Sequence, residues 1–279
     1  DSLGSLQAWA PAVGVDPFLL SELLFVRDVM NHWFTGTAGV LAGARGIPGG
    51  FPRNYIVIDV ETKGLDFATN LVCQLGWAVV RNGQLADCNA AMLDWTRHPA
   101  VEQGWLRRSL DEVRGYFERK GNTFHFPYER LREEGGEPEE VLRFAADVLE
   151  DHISHGELTV GHNAWFFDRQ MLDANVRRFL GGRTIPWQPN SIFDTGLVEK
   201  AAQINRPPYA NETLDGWFRR VHATRSRVAW NLENHCVRKY RLNERHPVEA
   251  GMAHDAGYDC KVTHWLFEAF GELMQSNDI

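Results

Sequence analysis

The sequence predicts an α/β fold in which helices flank a mixed β-sheet. Tyr55 to Ile58 form a continuous apolar run, which is typical of a strand buried on both faces. Two further candidate strands follow, and beyond them helical segments alternate with short strands, a pattern that places helices against a sheet. The 279 residues are 44% apolar, which supplies a sizeable core and excludes a globally disordered chain.

The N-terminal 50 residues differ in character from the rest. Asp16-Pro17 provides the N-cap and first turn of a helix that we expect to run to about Trp33. The last 16 residues of this region contain six glycines, which predicts a flexible linker. We therefore expect residues 1–50 to form a helical extension with a Gly-rich linker, and residues 51–275 to form one globular domain.

The other elements are expected in order along the globular domain. Leu71 to Val80 and Gln84 to Trp95 pair as a hairpin that turns at Arg81-Asn82-Gly83, because Asn-Gly favours a tight turn between strands. Apolar periodicity and punctuating glycines and prolines define the remaining elements. They are a helix over 139–153, a strand over 158–160, a helix over 165–180, a strand over 191–193, helices near 194–203, 213–221 and 231–240, and a last helix over about 256–274.

Composition limits the class of protein. The formal net charge is −8, but residues 219–245 carry eight Lys or Arg against two acids, so a nucleic-acid partner is compatible with the local charge. The four cysteines are far apart in sequence and form no C-x-x-C pair, so neither a disulfide framework nor a zinc ribbon is indicated. We expect reduced thiols and an intracellular protein, cytoplasmic or nucleoid-associated. No run approaches the roughly 18 apolar residues that cross a membrane, so no membrane partner is expected.

Four carboxylates occupy positions where the pattern predicts core. Asp59 and Glu61 follow the first apolar run and, at i and i+2 of a strand, point to the same face. Asp168 and Asp259 each begin an apolar helical stripe. The stripes continue through Leu172, Val176 and Phe179, and through Val262, Leu266 and Phe270. A single such acid is usually a helix cap, but four without a matching buried cation favour a Mg²⁺ or Mn²⁺ site.

His254 stands five residues before Asp259. On one helix the two side chains would lie about 140° apart, so they could not share a face. We therefore expect His254 in the loop before the helix, with Asp255 as the N-cap. From that loop the imidazole could lean over a metal site without being a ligand.

Three segments resemble the exonuclease motifs of the DEDDh, or DnaQ-like, 3′–5′ exonucleases. They are D-V-E-T-K-G-L (59–65), V-G-H-N-A-W-F-F-D (160–168) and H-D-A-G-Y-D (254–259). Supporting segments are similar as well, namely Gln74-Leu75-Gly76, Phe193-Asp194-Thr195 and Leu232-Glu233 to Tyr240. The resemblance covers about residues 53–270 with all motifs in order.

The resemblance implies an RNase H-like mixed five-stranded sheet and a two-metal centre. Asp59, Glu61, Asp168 and Asp259 would hold two Mg²⁺ or Mn²⁺ ions, and His254 would accept the proton of the attacking water. Further expectations concern the substrate: Thr62, Gly64 and Leu65 would hold the terminal nucleotide, Asn163 is a weaker substrate-side candidate, and Asp194 caps a helix and binds no metal.

The sequence also departs from the family pattern. Lys63 stands where many members have a second Thr. The spacing from Asn163 to Asp168 is one residue longer than in the proofreading subunits, and exonuclease I and the three-prime repair exonucleases share it. This spacing slightly favours DNA over RNA. Residues 96–121 exceed the usual connection, so we expect an insertion near the substrate.

The function expected is a metal-dependent 3′–5′ exonuclease that releases nucleoside 5′-monophosphates from single-stranded or frayed 3′ ends. The basic stretch around Trp230 would then track phosphates, and its aromatic rings would stack bases. RNA trimming, a catalytically silent DnaQ-like binding or assembly module, and an unrelated α/β enzyme stay open as alternatives. Residues 1–34 could contact a protein partner, although the apolar side of the first helix is also explained by packing on its own domain.

Overall fold

A mixed sheet of five strands forms the centre of the computed structural model, which describes residues 16–34, 50–188, 190–249 and 251–275. The strands are β1 (Tyr55–Thr62), β2 (Val72–Arg81), β3 (Gln84–Met92), β4 (Leu158–Gly161) and β5 (Ile192–Asp194). Their order is β3-β2-β1-β4-β5, with β1 antiparallel to β2 and parallel to β4. The predicted five-stranded mixed sheet is confirmed.

Helices cover both faces of this sheet. The helices are α1 (Pro17–Phe34), α2 (Gln103–Lys120), α3 (Tyr128–Glu134), α4 (Pro138–Ser154), α5 (Asp168–Phe179), α6 (Thr195–Gln203), α7 (Leu214–Ala223), α8 (Val237–Lys239), α9 (Leu242–Arg245) and α10 (Ala256–Gln275). A π-helical turn, Leu232–Cys236, leads into α8, so the helix expected near 231–240 is two short pieces. No helix in the described ranges is long and apolar enough to cross a membrane.

Strand β1 contributes to the cores on both faces. Tyr55 and Val57 pack with α1, α6, α7 and α10, whereas Ile56 and Ile58 pack with α2, α4 and α5. This alternation explains why the strand reads as an unbroken apolar run. The strand continues past Ile58 to Thr62, so Asp59 and Glu61 are part of the sheet.

The predicted hairpin is confirmed. Asn82 and Gly83 have φ values of 53° and 76°, which gives the tight turn the left-handed backbone it needs. Strand β3 ends at Met92, three residues before the expected Trp95. Trp95 instead turns inward, fully buried, and its indole Nε1 donates to the Val72 carbonyl at 2.6 Å.

Helix α1 packs on its own domain. It begins after Asp16, whose carboxylate accepts the Phe18 N–H at 3.0 Å, and it ends one residue beyond the predicted Trp33. Its buried side lies against α10 and α6. The fold therefore covers the apolar side of this helix, while residues 1–15 and most of the expected linker (35–49) lie outside the described residues.

Three departures from the predicted elements concern the site. The long segment 96–121 contains α2, which was not predicted, and α3 follows it. Helix α5 begins at Asp168, three residues later than expected, because the Asp194 carboxylate accepts the N–H groups of Asn163 and Trp165 and holds that turn out of the helix.

Candidate active site

The five residues predicted to carry the chemistry line one cleft of about 740 Å³. Asp59 and Glu61 extend from β1, Asp168 is the first residue of α5, and Asp259 lies in the first turn of α10. His254 reaches the same cleft from the loop before α10. Residues that are up to 200 positions apart in sequence are thus brought together.

Hydrogen bonds fix the two helical carboxylates. Asp168 Oδ1 accepts the Val60 backbone N–H at 2.7 Å, and Asp259 Oδ2 accepts the His254 backbone N–H at 3.1 Å. Possible ligand atoms of Glu61, His254 and Asp259 all lie within 4.8 Å of one another. Backbone N–H groups therefore hold these two carboxylates in place, one from β1 and one from the loop before α10.

The close approach of α10 depends on a glycine of the second strand. Gly76 pairs with Asp59 in the sheet, and a Cβ at this position would stand 2.1 Å from the Ala256 carbonyl oxygen. Gln74 binds the same helix start, since its Oε1 accepts the Ala256 N–H at 3.2 Å and its Nε2 donates to Asp255 at 2.9 Å. The supporting motif on β2 thereby sets the position of Asp259.

The cluster is electrostatically uncompensated. Burial raises the pKa of each of the four carboxyls well above its usual value, and repulsion among neighbouring carboxylates raises it further. Within the described ranges, none of the four forms an ion pair with a lysine or arginine. Retaining four charges in one cleft would be costly without cations.

Two oxygens of the cluster have no hydrogen-bond partner among the residues that the structure describes. They are Asp59 Oδ2 and Asp259 Oδ1, and both are buried. Buried polar atoms normally have partners, so these oxygens are free to coordinate an ion. An all-oxygen carboxylate set suits hard divalent cations, and the residues present therefore fit Mg²⁺ or Mn²⁺.

His254 lies in the loop before α10, as predicted, in a left-handed conformation with φ 65°. Its Nδ1 is 3.6 Å from Glu61 Oε1 and its Nε2 is 3.6 Å from Glu233 Oε1. Asp255 is the expected cap, since its Oδ1 accepts the Tyr258 N–H at 3.1 Å. The imidazole is thus placed between a motif carboxylate and a second acid of the cleft.

The structure supports the separation of Asp194 from the cluster. Its side chain caps α6 by accepting the Leu197 N–H at 2.9 Å, and it does not line the cleft. Burial raises the pKa of Asp194 to about 6, against the opposing effect of its backbone hydrogen bonds. This acid organises the turn before α5.

The predicted substrate contacts divide into two groups. Asn163 lines the cleft with φ 68°. Thr62 is the last residue of β1, Gly64 and Leu65 lie on the turn that follows, and all three are outside the lining. Thr62 is buried and its hydroxyl donates to the Gly64 carbonyl at 2.6 Å, and Leu65 is 79% exposed. Their role at a terminal nucleotide stays a prediction.

Lys63 is buried on the other side of this turn. Its Nζ donates to Asn70 Oδ1 at 2.8 Å and lies 3.5 Å from the centroid of the Trp105 ring. Burial lowers the pKa of Lys63. The departure from the family pattern therefore ties the end of β1 to α2, and the cation does not enter the cleft.

Several cleft residues were not assigned a role from the sequence. They are Tyr116, Lys120, Asn122, His162, Val228, Ala229, Asn231, Glu233 and Asn234, among others. Trp230 was expected to be near the substrate and lines the cleft. His162 stands beside Asn163 in the motif, and this adjacency was the one available signal for it. Tyr116 and Lys120 gave no signal, because α2 itself was not predicted.

Trp230 lines the cleft, but the lysines and arginines of the basic stretch around it (219–245) do not. None of its eight cations lines the cleft in the described part of the chain. Arg220 instead binds Glu212 at 2.6 Å, and Lys239 binds Glu199 at 2.8 Å. The positions of these side chains give no support to a phosphate track there.

Solved structures share this fold. E. coli exonuclease I in a zinc-bound complex with single-stranded DNA matches with a TM-score of 0.51 and 16% identity, over 80% of this chain and 42% of that one. The complex of E. coli exonuclease I with a dA16 oligonucleotide matches with a TM-score of 0.51 and 17% identity, over 80% of this chain and 42% of that one. A product-bound structure of exonuclease I matches with a TM-score of 0.51 and 16% identity, over 80% of this chain and 45% of that one.

These matches confirm the predicted fold, because this chain resembles exonuclease I in structure. The chain spans less than half the length of the exonuclease I chains it matches. No protein-family model and no curated protein matches the sequence.

Proposed function

We propose that residues 51–275 form a metal-dependent 3′–5′ exonuclease that hydrolyses phosphodiester bonds at nucleic-acid 3′ ends and releases nucleoside 5′-monophosphates. One observation carries the proposal. Four carboxylates from β1, α5 and α10 meet in one cleft without a lysine or arginine partner in the described ranges, and two of their buried oxygens have no hydrogen bond. Such a set of carboxylates can coordinate divalent cations, whereas without cations it would destabilise the folded protein.

Asp59, Glu61, Asp168 and Asp259 would hold the metal ions. When bound, two Mg²⁺ or Mn²⁺ ions supply an activated water and neutralise the charge of the phosphate that is attacked. The hydrogen bonds from Val60 to Asp168 and from His254 to Asp259 hold these two carboxylates at their positions before any ion arrives. Preorganised ligands of this kind reduce the rearrangement that binding requires.

His254 is the proposed proton acceptor. A neutral imidazole has one unprotonated ring nitrogen, which can take a proton from water. Its side chain is one-third exposed at the cleft, and Glu61 lies within 3.6 Å of its Nδ1.

The substrate class proposed is an unpaired 3′ end, with DNA slightly favoured over RNA. The motif spacing from Asn163 to Asp168 supports this preference. The complexes of E. coli exonuclease I with single-stranded DNA support it by likeness of fold. An exoribonuclease activity at the same centre is the alternative.

The test compares matched DNA and RNA oligonucleotides, single-stranded and duplex, in Mg²⁺, Mn²⁺ or EDTA. We expect stepwise shortening from the 3′ end and nucleoside 5′-monophosphate products in either metal, and none in EDTA. A 5′ label separates this from 5′–3′ digestion. Full-length substrate in all metal conditions would contradict the proposed activity.

A further inference from the structure

The cleft has two walls that the metal-centred chemistry does not use. One wall is the end of α2 and the residues after it, which contribute Tyr116, Lys120 and Asn122. The other is the segment 228–231, which contributes Trp230. An inference about these walls rests on the proposed function, because it concerns the strand that would enter the same cleft.

The α2 wall presents an aromatic ring and a cation together. Tyr116 is 54% exposed, which leaves its ring accessible. Lys120 follows four residues later, so both side chains lie on the same side of the helix, with Lys120 Nζ 5.9 Å from the Tyr116 ring centroid. Lys120 forms no ion pair within the described ranges.

Lys120 is also distinctive in charge. Among the described residues that line the cleft, it is the lone lysine or arginine, whereas five carboxylates (Asp59, Glu61, Asp168, Glu233 and Asp259) line it too. These carboxylates repel a phosphate that approaches the cleft. A cation at the edge of the cleft offsets that repulsion.

The end of α2 is held firmly against the loop of His254. Phe117, 8% exposed, packs edge-on to the His254 ring with 4.9 Å between centroids. The chain after α2 adds a hydrogen bond between His125 Nε2 and the Ala253 carbonyl at 3.2 Å. Tyr116, the neighbour of Phe117, is consequently presented to the cleft from a fixed helix.

Contacts with Gly196 and His162 hold Trp230 in place on the second wall. Its ring covers Gly196, where a Cβ would come within 2.8 Å of the indole. The half-buried His162 donates from its Nε2 to the Trp230 carbonyl at 2.7 Å, and the Thr195 hydroxyl oxygen lies 3.0 Å from its Nδ1. Burial lowers the pKa of His162 to about 4, so the ring is neutral and keeps one donor for this bond.

We propose that Tyr116, Lys120 and Trp230 form the binding site for the unpaired strand next to its 3′ end. The two aromatic rings stack on bases, and Lys120 binds a phosphate. Stacking requires the face of a base, which a duplex covers with its own neighbours, so this site selects single strands while it tolerates any base. The insertion in residues 96–121 thus serves substrate binding.

The test measures KM for a deoxythymidylate decamer and for a dinucleotide, with the full chain in Mn²⁺. We expect Tyr116→Ala and Trp230→Ala to raise KM for the decamer about 10-fold, and to raise it less for the dinucleotide, which ends near the metal centre. Trp230→Phe should recover most of the loss. Tyr209→Ala is the matched control, since Tyr209 is 62% exposed and lies outside the cleft lining.

Lys120→Gln tests the phosphate contact. The slope of log affinity against log salt for the decamer should fall by about 0.7, the value for one phosphate contact on a single strand. Lys261→Gln, a lysine outside this cleft, is the control. An unchanged slope would overturn the assignment of Lys120, and equal KM changes for decamer and dinucleotide would overturn the strand site.

A failure of the proposed function is distinguishable from a failure of this inference. Fluorescence anisotropy of a labelled decamer, measured in EDTA, reports strand binding without turnover. If the wild type cleaves nothing but the three variants bind the decamer more weakly than their controls, the strand site stands and the exonuclease proposal fails. If the wild type cleaves and the variants bind as tightly as their controls, the strand site is wrong.

Discussion

Asp168 Oδ1 accepts the backbone N–H of Val60 at 2.7 Å, so a carboxylate from the start of α5 is fixed to the strand segment between Asp59 and Glu61. Two of the three motifs are thereby joined by a single hydrogen bond. The third motif is fixed differently, because the His254 N–H binds Asp259 within it and Gln74 of β2 binds the start of α10. The cluster therefore depends on hydrogen bonds between motifs, within a motif and from β2.

Loss of a cluster carboxylate should abolish nucleolysis without unfolding the protein. Asp59→Ala or Asp259→Ala removes an oxygen ligand set that no neighbouring residue replaces, while it relieves repulsion among the remaining acids. Cleavage of labelled oligonucleotides and circular dichroism are the measurements. Asp147→Ala, which alters an exposed acid paired with Arg183, is the control and should retain activity. Full activity of either cluster variant would refute the assignment.

Replacement of His254 should separate proton transfer from metal binding. His254→Ala is expected to lower turnover by roughly 10²–10⁴-fold, the usual contribution of a general base. Calorimetric titration with Mn²⁺ should show nearly unchanged affinity, because the proposed ligands are the carboxylates. A large loss of Mn²⁺ affinity would instead make His254 a ligand.

The metal-free protein should lose stability as pH rises. A carboxyl whose pKa is raised in the folded state retains its proton there while the unfolded chain releases it, so the free energy of unfolding falls from about pH 4 up to the raised pKa. Bound cations remove this penalty. The gain in melting temperature from Mn²⁺ should therefore be larger at pH 8 than at pH 5. The Asp59→Asn variant should show a smaller pH dependence, and an identical dependence in variant and wild type would contradict this explanation.

Gly76 should be intolerant of a side chain. Gly76→Ala places a Cβ against the Ala256 carbonyl and should lower the free energy of unfolding by about 1–3 kcal/mol. Activity should fall as well, because the start of α10 carries Asp259. Urea unfolding measures the first effect. Gly115→Ala, inside α2, is the control and should be neutral or stabilising by about 0.5–1 kcal/mol. Equal stability of the Gly76 variant and wild type would show that α10 yields at this contact.

The sequence pattern predicted the structure where neighbouring residues alone determine it. The apolar run of β1 and the Asn82-Gly83 turn predicted the central strand and hairpin, and carboxylates in apolar positions predicted the cluster. Helix α2 escaped prediction because its buried residues, Leu106, Leu110 and Phe117, are few in a polar segment.

Long-range contacts account for the rest. The late start of α5 depends on Asp194, about 30 residues away, and the position of Trp230 depends on His162, 68 residues away. Neither contact leaves a periodic signal in the sequence. The proposed strand site likewise depends on the fold, which brings Tyr116 of α2 and Trp230 to the same cleft.

A crystal structure with Mn²⁺ tests the metal centre most directly, because anomalous scattering locates the ions independently of any activity. Two anomalous peaks about 3.5–4 Å apart, surrounded by Asp59, Glu61, Asp168 and Asp259, are expected. Saturating Mn²⁺ with no peak among these four side chains would contradict the account.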